Sequence, residues 1–340
     1  MLSHLSRRWR SVATSSAYRR LTRQAVVAPN SVFSNSSTLT QNRWLSDSAG
    51  DSNNILNIAV CDDGVAIVTF DDPNQSMNTL TAGLMQEFET TLDAIENDAN
   101  IKSWVLKSGK PGCFIAGADI NMLNAANSEA EVEQIVENGH RLFNRLENCS
   151  KPVVAAIDGV CLGGGLEVAL ACHYRIASTS KKTQLALPEI KLGLLPGGGG
   201  TQRLPKIVGL VEALTMATTG GNVVPKKAKR TGLVDQLADP YALEDAAIQA
   251  AKGLADGSVK KAGRRKKNLM QRIMEDTPVK NIVFKKTRFV ALKSLTHSLC
   301  HHSVSFTLNV WLSVSSHKMD GQVALDCGCT DLVVCHSSFV

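Results

Sequence analysis

The first 46 residues contain no Asp, no Glu and no Lys; the first acid is Asp47 and the first lysine is Lys102. The same stretch carries seven Arg among many Ser and Thr. It also lacks the continuous apolar segment of a secretory signal. What remains, a basic, hydroxyl-rich, acid-free start, is the composition of a mitochondrial transit peptide, which forms a cationic amphipathic helix drawn by an inside-negative potential. Arg43-Trp44-Leu45 followed by Ser46 reads as the processing point, so residues 1–46 are expected to be removed. A basic arm for nucleic acid would interleave aromatics and lysines, and neither is present in that pattern, so no nucleic-acid partner is expected.

Other absences narrow the body of the chain. No window reaches the roughly 18 uninterrupted apolar residues of a membrane span, so a soluble or at most peripheral protein is expected. There is no CxxC pair among Cys61, Cys113, Cys149, Cys161 and Cys172, whose irregular spacing reads as buried thiols of a reducing compartment. Neither GxxxxGK[ST] nor GxGxxG occurs, although GGG stands at 163–165 and GGGG at 197–200, which argues against a nucleotide cradle. The net charge of +6 is nearly cancelled once the seven leader arginines are set aside, so charge says little about partners.

A chain of 340 residues with 44% hydrophobic content can bury a full core. Apolar runs at 55–60 and 65–70 flank Asp62-Asp63-Gly64 and predict a β-hairpin. Leu84, Met85, Phe88, Leu92 and Ile95 share one face of a helix over 81–97. Residues 103–107 return to extended character, and 108–121 read as a loop. Ser128 with Glu131 forms a capping box for a helix that ends before Lys151-Pro152. Residues 153–157 are a fully apolar strand. A short helix follows over 164–171, then short strands at 174–177 and 184–187, helical stretches at 201–218 and 225–231, a strand at 233–235 and a helix at 241–254. This order predicts a mixed α/β fold with helices covering sheet.

The texture changes towards the C-terminus. Residues 259–286 are strongly basic, with KKAGRRKK at 260–267, and read as a solvated helical linker, the other reading being a contact with anionic lipid. Residues 287–340 hold five of the eight His, four of the nine Cys and no Glu. His301-His302 near Cys300, and Cys327-Gly328-Cys329, follow no zinc-ligand spacing, so no metal site is expected. Val304, Phe306, Leu308, Val310, Leu312 and Val314 alternate as in an exposed, aggregation-prone strand.

Two glutamates draw the chemistry to residues 161–203. Gly163-Gly164-Gly165 before a helix allows close backbone approach and leaves N–H groups free at a positive helix terminus, suited to a developing oxyanion. Glu167, in the first turn of that helix, is placed to reach the same pocket, its ionised form favoured by the helix dipole; simple helix capping is the alternative reading. Glu189, in the apolar ALPEI, fits either a site carboxyl or a structural ion pair. Deprotonating water while protonating carbon requires two carboxyls facing one cavity, which this pair would supply.

Three blocks, IAGADI at 115–120, VAAIDGVCLGGGLEVALACHYRIAS at 154–178 and LPEIKLGLLPGGGGTQRLPKIVG at 187–209, resemble the signature blocks of the enoyl-CoA hydratase (crotonase) superfamily. The wording, including GLVDQL and AKGLAD, is most similar to the N-terminal hydratase domains of trifunctional β-oxidation alpha subunits. The resemblance covers about residues 53–286. It implies an α/β crotonase fold of repeated ββα units with mixed sheets and covering helices, with the domain proper at 53–258. It further implies hydration of trans-2-enoyl-CoA to (3S)-3-hydroxyacyl-CoA in mitochondrial fatty acid β-oxidation. Ala118 and Gly164 would donate backbone N–H groups to the thioester oxygen, Glu167 would activate water and Glu189 would protonate C2. Ala116, Gly117 and Asp119 would complete the loop around the CoA thioester. No metal and no cofactor are implied for this step.

Alternatives on the same fold are an enoyl-CoA isomerase, an acyl-CoA hydrolase, or an inactive chain that only binds acyl-CoA or a partner. Partners implied by the resemblance are the acyl-CoA substrate, a thiolase-type beta subunit, a further copy of the chain, and peripheral contact with the inner membrane from the matrix. The alpha subunits of this kind continue into an NAD-binding dehydrogenase domain, whose fingerprint is missing here. The expectation is that residues 287–340 stem from an alternative or mispredicted 3′ exon or intron read-through, and that the chain lacks that second activity and its NAD.

Overall fold

The computed structural model describes residues 54–125, 128–192, 194 and 196–261, together with 43–44 and 272. The leader apart from Arg43 and Trp44, most of the basic linker and the whole 287–340 segment, with its His, Cys and alternating residues, lie outside the described residues.

Hairpin strands β2 (Leu56–Val60) and β3 (Val65–Phe70) pair antiparallel. Gly64 adopts φ 79° between them, a value only glycine takes without strain, and its N–H bonds the Cys61 carbonyl at 2.9 Å. A two-residue strand β1 (Arg43–Trp44) lies antiparallel on the outer edge of β2. From β3 onward the large sheet runs parallel through β4 (Ser103–Ser108), β6 (Val153–Ile157), β8 (Tyr174–Ser178) and β10 (Gln236–Ala238), giving the order β1-β2-β3-β4-β6-β8-β10. Strands β5 (Cys113–Ile115), β7 (Val160–Leu162) and β9 (Gln184–Ala186) form a second, all-parallel sheet. Successive strands from β4 to β9 therefore alternate between the sheets, and each pair of short strands makes one turn of a spiral.

Alternation along the strands sends side chains to two faces. Trp104 and Leu106 of β4, with Val153, Ala155 and Ile157 of β6, join the main core. Val105, Val154, Ala156 and Ile176 face the other way, where α8 (Leu243–Ala255) covers them with Leu243, Ala247, Ala250, Ala251 and Leu254. Ion pairs Lys107–Glu244 and Lys252–Asp63 hold the two ends of that helix to the sheet. On the main-core side lie α1 (Ala82–Asn97), capped by Thr81, and α3 (Glu129–Glu147), capped by Ser128 as the capping box predicts. Arg141 pairs with Glu89, and Arg145 pairs with Asp93 and Glu96, fastening α3 along α1. Between them in sequence is α2 (Ile120–Ala125); α4 (Gly164–Ala171) is buried in the centre.

Three expectations are corrected. Residues 108–121 are not one loop, because Cys113–Ile115 form β5; a strand of three residues, bounded by Gly112 and Ala116-Gly117, has no periodicity to betray it. The helical stretch 201–218 is two helices, α5 (Gly200–Val208) and α6 (Leu210–Thr219), separated at Gly209 with φ 88°. The strand expected at 233–235 sits at 236–238 instead. Leu233 and Val234 are apolar because they plug the core after α7 (Pro225–Thr231).

Asp235 in that corrected stretch turns its carboxylate to Arg175, which is 2% exposed. That guanidinium also donates to the carbonyls of Leu233 (3.1 Å), Ala169 (3.3 Å) and Cys172 (2.7 Å), so each of its three nitrogens has a partner. Among the described residues no helix is long and apolar enough to cross a membrane.

Candidate active site

The N-terminus of α4 is the organising feature. Gly163 turns into the helix with φ 52°, a backbone region closed to most side chains, and no side chain caps the first N–H groups. Gly165 presses against β5: a Cβ there would lie 2.3 Å from the Ile115 carbonyl oxygen. At Gly164 a Cβ would lie 2.8 Å from Leu80 Cδ1 and 3.5 Å from the Ala118 nitrogen, so the backbone of α4 meets the 115–120 loop directly. The two expected oxyanion donors, Ala118 and Gly164, are thus neighbours although 46 residues separate them in sequence.

Glu167 is 3% exposed. Simple helix capping, the alternative reading, is not what its carboxylate does. Oε1 accepts from the N–H groups of Gly198 at 2.8 Å and Gly200 at 2.7 Å, in the turn that opens α5. The glycines of GGGG are what let this turn come so close. A Cβ on Gly198 would stand 2.6 Å from Phe143 Cε2 and 2.8 Å from Glu167 Oε2, and one on Gly200 would stand 2.9 Å from Glu167 Oε1. Arg203, 4% exposed, fixes the same turn: Nη1 donates to the Gly198 carbonyl (2.9 Å), Nη2 to Asn144 Oδ1 (2.6 Å) and Nε to Glu147 Oε2 (2.7 Å), the last two on α3. Burial raises the Glu167 pKa, against the lowering effect of the Gly200 and Gly198 amides and of the Arg203 charge.

Glu189 opens a 3-10 turn, Glu189–Leu192. Its Oε1 overlies Gly163, 3.0 Å from where a Cβ would be, and its Oε2 is enclosed without a hydrogen-bond partner among the described residues. Burial first, and the nearby Glu167 charge second, push its pKa up to about 8. Among the described residues Glu189 makes no ion pair, the other reading open from sequence. The environments divide the two carboxyls: Glu167, served by two amides and an arginine, is the better holder of the negative charge, and Glu189 keeps its proton at neutral pH. A carboxylate and a carboxylic acid beside two backbone donors form a set able to activate a water molecule, deliver a proton and stabilise an oxyanion.

Among the remaining loop residues, Ala116 donates its N–H to the Asn78 carbonyl at 2.8 Å, and Gly117 adopts φ 127°. Asp119 Oδ1 accepts from the Asn121 N–H at 2.9 Å, at the start of α2. An apolar cavity lined by Leu80, Leu84, Phe88, Ile115, Phe143 and Val168 adjoins both arms of the site through Leu80 and Phe143. The holders of Glu167, namely Gly198, Gly200 and Arg203, were not assigned a role from sequence. The only signal was the GGGG run itself followed by an arginine.

Gly198→Ala tests this reading of the turn. It is expected to leave the fold intact but displace the Glu167 carboxylate, lowering turnover of an acyl-CoA substrate by roughly 100-fold, the scale of an ångström-size misplacement. Steady-state kinetics alongside circular dichroism checks it.

Comparison with known proteins follows the same lines. The family model described as enoyl-CoA hydratase/isomerase matches residues 61–300. The chain belongs to the enoyl-CoA hydratase/isomerase family. Its two alternating sheets and covering helices are the α/β crotonase fold of that family. The enoyl-CoA hydratase of Bacillus anthracis superposes with a TM-score of 0.55 at 27% identity, covering 72% of this chain and 92% of that one. DspI of Pseudomonas aeruginosa gives a TM-score of 0.56 at 32% identity, covering 73% and 98%. Among curated relatives, the fatty acid oxidation complex subunit alpha of Shewanella amazonensis is 47% identical over 233 residues, 68% of this chain and 32% of the relative. The chain thus spans about a third of the length of the curated relatives it matches.

Proposed function

We propose that this member of the enoyl-CoA hydratase/isomerase family adds water across the double bond of trans-2-enoyl-CoA, giving (3S)-3-hydroxyacyl-CoA, as a step of mitochondrial fatty acid β-oxidation. Ala118 and Gly164 N–H groups hold the thioester oxygen. Glu167 accepts a proton from water as its oxygen bonds to C3, and negative charge builds on the thioester oxygen. Glu189 then gives its proton to C2, and the enolate collapses to the saturated thioester. The water O–H, the Glu189 O–H and the C2–C3 π bond break, and an O–H on Glu167, a C–O and a C–H bond form. The proton taken up by Glu167 is lost and Glu189 regains one from solvent before the next turnover, and no electron leaves the system, so NAD has no part in this step.

The observation that carries the reading is the unlike pair of carboxyls: Glu167 held by the Gly198 and Gly200 amides, and Glu189 raised to about 8, flanking α4 where its backbone meets Ala118. The wider assignment rests on the relatives. Their name as alpha subunits of a fatty acid oxidation complex supports association with a further subunit, which we propose is of the thiolase type, and the acid-free leader supports a matrix location. We further propose residues 53–258 as the hydratase domain, 259–286 as a linker and 287–340 as no part of it, the family match itself running on to residue 300.

The decisive experiment is turnover of trans-2-enoyl-CoAs of several chain lengths by the purified chain, followed by loss of the conjugated thioester absorbance and by product analysis. Expected is a 3-hydroxyacyl-CoA. A shifted double bond or free CoA as the product, or no reaction by folded protein at any chain length, would refute the hydratase reading.

A further inference from the structure

Asn78 is fully buried, lies outside the catalytic groups proposed above, and spends its side chain on three residues of two other segments. Its Nδ2 donates to the Phe70 carbonyl at 2.6 Å and to Ser108 Oγ at 2.8 Å, while its Oδ1 accepts from the Asp72 N–H at 3.2 Å. Phe70 and Ser108 are register partners at the last positions of the parallel strands β3 and β4. The side chain thus anchors residue 78 to the ends of two adjacent, largely buried strands of the large sheet.

The backbone from 78 to 80 then runs as a short splint along 116–119. The Asn78 carbonyl accepts from Ala116 N–H (2.8 Å), Leu80 N–H donates to the Gly117 carbonyl (2.8 Å), and the Leu80 carbonyl accepts from Asp119 N–H (3.0 Å). This is a parallel bridge of Leu80 with Ala118. In this bridge Leu80 makes both hydrogen bonds, to Gly117 and Asp119 on either side of Ala118, so the N–H of Ala118 itself is not used by it. Ala118 N–H is therefore left out of the splint, and its nitrogen lies beside Gly164, 3.5 Å from where a Cβ of that residue would stand.

We propose that Asn78 is a positioning residue for the oxyanion hole, setting the Ala118 donor by locking the 78–80 splint to the strand ends. The inference rests on the hydratase reading given above. Asn78→Asp is nearly isosteric but replaces the two donated bonds of Nδ2 by an acceptor facing the Phe70 carbonyl, and the splint loses its anchor. Ser108→Ala removes one of the two bonds donated by Nδ2, together with the contacts of Ser108 Oγ to the Lys110 backbone, and leaves Asn78 in place.

The experiment uses the full chain and an aryl-substituted conjugated enoyl-CoA, whose absorption moves to the red when its bound carbonyl is polarised. Wild type is expected to turn over enoyl-CoA and to shift the bound chromophore. In Asn78→Asp the red shift should shrink and kcat fall on the order of tenfold or more, with KM changed much less. Ser108→Ala should move both readouts in the same direction by a smaller factor, and it decides the matter if Asn78→Asp does not fold. A purely structural role would lower the melting temperature but leave red shift and kcat per folded molecule at the wild-type level, and that result overturns the inference alone. A wild-type chain with neither turnover nor red shift overturns the hydratase reading and this inference together.

Discussion

Turnover of an enoyl-CoA is expected to fall by roughly three orders of magnitude in Glu167→Gln, and by a similar factor in Glu189→Gln, the range in which a positioned acid or base contributes. In Glu167→Gln the amide oxygen can still accept from Gly198 and Gly200, so the turn survives while the base is gone. In Glu189→Gln the amide keeps the shape of the acid but cannot release a proton to carbon. Loss of conjugated thioester absorbance measures both, with circular dichroism as the control for folding. Because water activation and protonation belong to one addition, the double variant should lose little more than either single one. Full activity in either variant would sink the two-carboxyl mechanism.

The second expected result concerns stability and runs the opposite way. Glu189→Gln should be more stable than wild type at alkaline pH, by a few kcal/mol, and the difference should vanish near pH 4. Its carboxyl titrates at about 8 in the folded chain, raised by burial and then by the Glu167 charge, against about 4.3 for an unfolded glutamate. The folded pKa is the higher one. The favourable contribution of the protonated group is therefore complete below the unfolded value and is lost as pH climbs towards about 8, where the unfolded chain releases a proton that the folded chain retains. A neutral glutamine escapes that loss. Urea unfolding of both proteins from pH 4 to pH 9 reads it directly; parallel curves across the range would show that Glu189 is not held protonated. The same titration puts an alkaline limb near pH 8 on kcat/KM, since the deprotonated Glu189 has no proton to deliver. A site that weakens the fold to hold its acid ready is the usual trade between stability and activity.

Much of this architecture is written in short stretches. The hairpin at 56–70, the helices beginning at Ala82, Glu129 and Gly164, and the buried strand 153–157 follow from turn residues, caps and apolar period, because those effects act within a few residues. Where such signals are too brief, the reading fails. Cys113–Ile115 is too short to show a period, and Leu233-Val234 look like a strand only because they are buried. Sheet membership is likewise invisible locally: Val153–Ile157 and Val160–Leu162 are close in sequence yet belong to different sheets.

The same division holds at the site. Glu167 and Glu189 stand out in the sequence as acids in apolar surroundings, and the resemblance of three blocks names their family. Their unlike states come from contacts that sequence spacing does not encode. Glu167 owes its two amide partners to residues 31 and 33 positions away, and Glu189 its protonation to enclosure beside Glu167. Asn78, Arg203 and the glycines of 197–200 acquire their work only when β3, β4, α3 and α5 converge on α4. Hydrogen-bonding capacity and hydrophobicity belong to residue types and are legible along the chain, whereas the charge a buried carboxyl carries depends on its through-space neighbours and its distance from water, which only the folded arrangement supplies.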